Sequence, residues 1–69
     1  MVTVISLRYC GKRIQVVRKF HDSSSIAIYD ILQDRKVVTK GVTRIGAIHE
    51  LFHMMLKAEY EIGKYKNNN

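Results

Sequence analysis

The sequence has a single cysteine and no long hydrophobic run. Cys10 is the one cysteine among 69 residues, which excludes an internal disulfide framework and favours a reducing, cytoplasmic setting. No apolar run approaches the length needed to span a membrane. Ser6 and Arg8 interrupt the apolar stretch at the N-terminus, so no signal peptide is expected. The four glycines are scattered and form no phosphate-binding loop.

Acidic residues are also scarce, above all in the first part of the chain. Twelve Lys and Arg residues stand against six Asp and Glu residues, a net charge of +6. Residues 1–40 hold eight basic and three acidic residues, a net charge of +5, whereas residues 41–69 hold four and three, a net charge of +1. An electropositive N-terminal half indicates nucleic acid or an acidic protein as the partner. The alternative is a solvated basic surface that has no nucleic-acid partner.

Hydrophobic alternation predicts a series of strands. We expect one small domain over residues 1–66 and a disordered tail at 67–69, where the sequence ends in three asparagines. Alternating residues predict strands over 2–10 and 13–21, joined by a type II′ turn at Gly11-Lys12. A polar connector follows at 21–25. Residues 26–32 and 37–40 then predict a second hairpin, or one strand followed by a basic loop.

A long helix is predicted after the strands, with Thr43 as its N-cap and Gly63 as its stop. The fold class is therefore α+β: an antiparallel meander of three or four strands (ββββα order), with one long C-terminal helix packed on one sheet face. Projected at about 100° per residue, apolar side chains form a broad stripe on the helix: Ile45, Ile48, Leu51, Phe52, Met55, Leu56 and Ile62, flanked by Ala47, Met54 and Ala58. Glu59 lies within this stripe, with Arg18 as its expected partner unless the last turn is solvated.

The stripe is wider than one small sheet needs. Either the helix packs deeply against the sheet, or part of its flank forms a homodimer contact.

The first hairpin separates apolar from basic side chains. The predicted turn pairs Tyr9 with Ile14 and Leu7 with Val16, and side chains alternate between the two faces of a strand. One face then carries apolar residues and suits a core under the helix. The other face and the adjoining turns collect basic and polar residues: Arg8, Lys12, Arg13, Gln15, Lys19, His21, Lys36 and Lys40.

One motif on the predicted helix points to zinc. The segment His49-Glu50-Leu51-Phe52-His53 matches the His-Glu-x-x-His signature of metallopeptidases. Two histidines four residues apart can hold one zinc ion, with Glu50 as general base toward a metal-bound water. Residues 44–56 also resemble the active-site helix of the small regulatory zinc peptidases that cleave phage and mobile-element repressors, which implies zinc at His49 and His53. Glu59 would lie about 15 Å along the helix axis from His49, too far to share a metal ion, so no metal or catalytic residue is assigned.

A basic sheet face backed by a helix suits DNA, because a sheet can enter the major groove while the helix packs behind it. Arg8 and Arg13 suit guanine edges or phosphates, and Gln15 suits adenine. The lysines suit phosphates. The element order resembles the small sheet-first DNA-binding domains at the start of some tyrosine recombinases. About five to seven phosphate contacts predict a log–log salt slope of roughly −5.

The sequence therefore predicts a small non-enzymatic binding protein without a cofactor or a membrane partner. Its most concrete form is a cytoplasmic DNA-binding or regulatory protein of the kind that phages and mobile elements encode. The first alternative is an inhibitor or adaptor that uses the basic face or the helix flank against an acidic protein. The second is a minimal zinc protein or metallopeptidase-like domain.

Overall fold

Within residues 1–20 and 26–66, which a computed structural model describes, the chain forms a four-stranded antiparallel sheet with one helix on one face. The strands are β1 (Val2–Tyr9), β2 (Lys12–Phe20), β3 (Ala27–Gln33) and β4 (Lys36–Val42), and the helix is α1 (Arg44–Lys66). Each strand pairs with the next along the chain. The predicted α+β meander is confirmed, with four strands. The predicted connector at 21–25, including His21, and the predicted tail at 67–69 lie outside the described residues.

The first hairpin turns at Cys10-Gly11, one residue earlier than predicted. Both loop residues have positive φ, 52° at Cys10 and 78° at Gly11, which is the conformation of a type I′ turn and not of type II′. Tyr9 therefore lies opposite Lys12, and the predicted pairing of Tyr9 with Ile14 is wrong. The two registers differ by an even number of residues, so the strand side chains keep their predicted faces.

The second hairpin also turns through two residues of positive φ, and its turn lies beside the first. Asp34 and Arg35 have φ of 51° and 71°, and Gln33 lies opposite Lys36. The Asp34 N–H donates to the Arg13 carbonyl at 2.9 Å, and the Arg13 N–H donates to the Asp34 carboxylate at 3.1 Å. Aspartate tolerates this backbone region better than most residues. Asp34 thus shapes its own turn and joins it to the first hairpin.

The core lies between one face of the sheet and the helix. Its buried apolar residues are Ile14, Val16, Ile31, Ala47 and Met54. Half-buried residues pack around them: Leu7, Tyr9, Tyr29, Val42, Leu51 and Met55. The helix packs mainly against β3 and β4, so the helix-facing side of β1 is covered only in part. Within the described residues, α1 does not combine length with the apolar character of a membrane span.

The helix presents small residues to the sheet. Ala47 and Ala58 are buried together with Met54. The two small alanine side chains let the helix axis approach the strands closely. Four large residues of the predicted stripe remain exposed instead: Ile45, Ile48, Phe52 and Leu56. The helix therefore does not bury the whole stripe against the sheet, and the prediction of deep packing is wrong for these four residues.

The helix begins where it was predicted to begin and ends later. The Thr43 hydroxyl accepts a hydrogen bond from the Gly46 N–H at 3.0 Å, and the Thr43 carbonyl accepts one from the Ala47 N–H at 2.8 Å. Thr43 is thus the N-cap. Gly63 does not stop the helix, which continues to Lys66. A glycine inside a helix costs only about 1 kcal/mol relative to alanine.

Two polar contacts join the last turns of the helix to the first hairpin. The Tyr9 hydroxyl donates to the Glu59 carboxylate, and Lys12 Nζ lies 3.8 Å from the Glu61 carboxylate. Glu59 therefore has Tyr9 as its partner. The predicted partner, Arg18, is wrong, because it lies beside the first turns of the helix.

Tyr9→Phe should remove part of the loss of stability in alkaline solution. The hydrogen bond to Glu59, followed by desolvation and the charge of that carboxylate, raises the pKa of Tyr9 from 10.0 to about 12. A raised pKa in the folded state contributes stability that is fully present below pH 10 and is lost as the pH rises through about 12. Urea unfolding across this range should show a steeper decline for the wild type than for Tyr9→Phe. The control is Tyr60→Phe, because Tyr60 is 71% exposed and lies next to Glu59 on the helix. An identical loss of stability in all three proteins would contradict the hydrogen bond between Tyr9 and Glu59.

Candidate nucleic-acid interface

The sheet face opposite the helix, which we call the outer face, holds most of the predicted binding residues. Strand register places there the residues that alternate with core positions. They are Ser6, Arg8, Arg13, Gln15, Val17 and Lys19 from β1 and β2, with Ile28, Asp30 and Leu32 from β3. Four predicted residues, Arg8, Arg13, Gln15 and Lys19, are therefore brought to one face.

Arg8 and Arg13 lie directly opposite each other on β1 and β2. The backbone N–H and carbonyl of Arg13 are both directed to Asp34. Arg8 and Arg13 therefore form a non-hydrogen-bonded pair, in which Cα atoms approach to about 4.5 Å. Like charges that face each other in this way are destabilising. A bound anion would relieve the repulsion, and a guanidinium group can hold a phosphate with two hydrogen bonds.

Gln15 continues this polar surface two residues further along β2. It lies between Ser6 on β1 and Leu32 on β3. Gln15 therefore shares the outer face with Arg13, and it is half-buried. An amide at this position can both donate and accept hydrogen bonds, as adenine recognition requires.

Among the residues placed on the outer face, Asp30 is the acidic one, and it has partners within the fold. Asp30 is 8% exposed. Lys19 Nζ lies 2.9 Å from one carboxylate oxygen, and the Gly41 N–H donates to the other at 2.8 Å. Gly41 has a φ of 68° where β4 bulges away from regular pairing with β3. Asp30 thus holds this bulge, and Lys19 serves the fold as the counter-charge of Asp30.

The environment of Asp30 keeps its carboxylate ionised. Burial by itself raises the pKa, but the hydrogen bonds from Lys19 and Gly41 and the charges of Lys19 and Lys40 outweigh it, so the pKa lies below its ordinary value of 3.8. Lys40 follows Thr39, which lies opposite the core residue Ile31, so strand alternation directs this exposed lysine toward the outer face. At neutral pH the Lys19–Asp30 pair adds no net charge, and Lys40 adds a positive one.

Two other predicted lysines lie on the helix side of the sheet. Lys12 belongs to β2 and not to the turn tip, and it faces Glu61 on the helix. Its predicted place in the loop is wrong because the turn forms one residue earlier. Lys36 begins β4 opposite Gln33, a position whose register also places it on the helix side.

Sequence reasoning missed one basic residue at the end of this surface. Arg35 is exposed in the second turn, next to Asp34, whose backbone and carboxylate are bonded to Arg13. The two turns therefore bring Arg35 to the same end of the sheet as the Arg8–Arg13 pair. The charged run at residues 34–36 was the available signal for this position.

The sequence also left the facing of the second hairpin undetermined. Register places Ile28 and Leu32 on the outer face, and Val37 lies opposite Leu32. Tyr29 instead faces the helix and packs against the core, so it cannot act as a stacking platform on the outer face. The outer face is therefore basic near the β1–β2 turn, while β3 and β4 add the apolar residues Ile28, Leu32 and Val37 beside Asp30.

The zinc motif lies on the helix, away from the outer face. His49 and His53 are exposed, and Glu50 is half-buried. In the described part of the chain, no group of three or more His, Cys, Asp or Glu side chains is placed to hold a metal ion. The zinc alternative stays a prediction, which the zinc content of the purified protein and of its His49→Ala variant would test.

The chain has no match among the known proteins with which it was compared. No family model, no curated protein and no solved structure matches the chain. Function must therefore be argued from the charges and the geometry of the outer face.

Asp30→Asn should destabilise the fold by about 2 kcal/mol, the usual effect of losing a hydrogen bond to a charged group. A lowered carboxyl pKa contributes stability that is present above pH 3.8 and is lost as the pH falls through the folded-state pKa. The variant should therefore lose less stability in acid than the wild type does. Urea unfolding at neutral and acidic pH measures both effects.

Asp34→Asn is the matched control for Asp30→Asn. Asparagine can accept the hydrogen bond from the Arg13 N–H and tolerates the φ of 51° at this position. The control should stay close to wild-type stability. Equal destabilisation by the two changes would mean that Asp30 has no special role in the bulge.

Proposed function

We propose that this chain is a small non-enzymatic protein that binds DNA through the β1–β2 part of the outer face. The proposal includes a cytoplasmic setting and a regulatory role of the kind found in phages and mobile elements. The lone cysteine and the basic composition support that setting.

The placement of the acidic side chains away from the opposed pair Arg8 and Arg13 carries the proposal. Among the described residues, three acidic side chains lie on the helix, namely Glu50, Glu59 and Glu61. Asp34 lies in the second turn, and Asp30 is paired with Lys19. The outer face therefore keeps a net positive charge, concentrated at the opposed pair Arg8 and Arg13.

The arrangement suits a duplex for geometric reasons. β1 is the edge strand of the sheet, so the β1–β2 ribbon can approach the major groove without obstruction from a neighbouring strand. Arg8 and Arg13 then face base edges or the flanking phosphates. Arg35 and Lys40 lie at the two ends of the second hairpin, where they can reach the backbone.

The geometry revises the expected dependence on salt. Lys19 is engaged with Asp30, and Lys12 faces Glu61, so these two lysines contribute less than the sequence indicates. About four basic residues remain for phosphate contacts, which corresponds to a log–log salt slope of roughly −4.

The double change Arg8→Ala with Arg13→Ala should weaken DNA binding and reduce the salt slope by about two. The double change removes both positive charges of the opposed pair. Neither arginine belongs to the apolar core, so the fold should be preserved. A gel shift with duplex DNA at several salt concentrations measures affinity and slope. Single-stranded DNA and RNA serve as competitors. We expect them to bind less well because the described residues of the outer face include no aromatic side chain on which bases could stack.

A matched control removes the same charge from the helix side. Arg44→Ala with Lys57→Ala takes away two exposed cations of α1 and should leave affinity within about threefold of wild type, apart from the general loss of charge. Equal effects of the two double variants would show that binding follows net charge and not the outer face. No shift of any duplex at low salt would reject the proposal.

The apolar part of the outer face favours a second candidate, an acidic protein as the partner. Val37 is 56% exposed and pairs with Leu32, and apolar contact next to a basic edge is typical of protein interfaces. An adaptor would give no gel shift, would capture one acidic protein, and would lose it on Val37→Ser. DNA binding should be insensitive to that change.

A further inference from the structure

We propose that the uncovered side of α1 and β1 is the contact surface of a homodimer, with a second copy of this chain as the partner. The surface, which we call the apolar flank, consists of six residues: Val4, Ile5, Ile45, Ile48, Phe52 and Leu56. It lies on the helix side of the sheet, and it is separate from the outer face.

The helical part of the apolar flank is an unbroken row. Its members follow one another at intervals of three or four residues, so they lie along one side of the helix. Their exposed fractions are 68% for Ile45, 59% for Ile48, 60% for Phe52 and 47% for Leu56. The row points away from the buried face that contains Ala47 and Ala58.

The row is continuous with β1 through a groove. Val4 and Ile5 of β1 line one wall and Ile48 and Leu51 of α1 line the other, around a volume of ≈ 300 Å³. Arg18 and Arg44 also line this groove. The groove exists because the helix packs mainly on β3 and β4. The result is a mainly apolar concavity beside an apolar ridge, and each can receive the other from a second copy.

The area of the apolar flank matches what a stable dimer needs. With roughly 200 Å² for a fully exposed side chain of this size, the six residues expose about 600 Å² of mainly apolar surface. The largest apolar patch of a typical monomer is about 300–600 Å². A standard interface buries about 800 Å² per partner, of which about 65% is apolar in homodimers. The apolar flank therefore supplies the apolar share of one such interface.

The symmetry of the surface favours a second copy over a different protein. In a two-fold dimer the same patch must be complementary to itself, and an apolar row beside an apolar groove meets that condition. β1 is also an edge strand, and its one charged residue, Arg8, lies at the end next to the first turn. Charge therefore protects little of this edge against association. The opposite edge, β4, is bulged twice and carries Lys36 and Lys40, the usual protection against edge association.

Charge also agrees with this arrangement. The chain has a net charge of +6, so two copies repel unless their basic faces point apart. Contact through the apolar flank places the two outer faces away from the interface. The homodimer therefore stands independently of DNA binding and is compatible with it.

Sedimentation equilibrium over a range of concentrations tests the proposal. The wild type should change from a species of 8.0 kDa toward one of twice that mass. Phe52→Glu places a charge in the centre of the apolar flank and should weaken the dimer by about thirtyfold or more, the effect of losing an interface hot spot. Val37→Glu, at a comparable exposure on β4, is the matched control and should dimerise like the wild type.

Cysteine cross-linking gives a second readout that does not depend on the effect of a buried charge. In a Cys10→Ser background, which removes the one native cysteine, Phe52→Cys should yield a disulfide-linked dimer on mild oxidation, and Val37→Cys should not. Circular dichroism confirms that each variant is folded. A wild type that stays monomeric at millimolar concentration overturns the proposal and leaves the apolar flank to another partner. Equal cross-linking at both positions overturns it as well.

Discussion

The packing of α1 on Ile14, Val16 and Ile31 is the interaction on which the rest of the structure depends. These positions define which side of β2 and β3 is inside, and strand alternation then sends Arg13, and its neighbour Arg8 across the hairpin, to the other side. A slip of one residue in register would bury arginine and expose the core residues. The basic outer face is therefore a direct consequence of the core and needs no separate device to assemble it.

The outer face has no second layer of structure in the described residues, so its own polar groups must stabilise it. Asp30 does so by binding Lys19 and the backbone of the β4 bulge at Gly41. The same contact removes one lysine from the potential binding surface and neutralises the acidic residue that would otherwise repel a phosphate. Lys19 of β2, Asp30 of β3 and Gly41 of β4 thus stabilise this face through one set of contacts, whereas Arg8 and Arg13 lie opposite each other next to the first turn.

The apolar residues of the helix divide into a buried set and an exposed set. Its alanines are buried against the sheet, and its exposed larger residues form a row that points away from that buried face and reaches the groove beside β1 at Ile48. In a chain of 69 residues the core is small, and a second buried surface adds substantially to the apolar area removed from water. Association through the apolar flank would supply this area without covering the arginines.

The sequence by itself determined the local features: an antiparallel meander of three or four strands, the cap at Thr43, a long amphipathic helix and the sorting of side chains on the first hairpin. These depend on periodicity and on hydrogen bonds between near neighbours, which a linear pattern records. Only the tertiary structure decided the turn at Cys10-Gly11, the pairing of Glu59 with Tyr9, the engagement of Lys19 by Asp30 and the side of the helix that meets the sheet. The position of the turn follows from the register of β1 on β2. The other three depend on contacts between residues distant in the chain, which a linear pattern does not record.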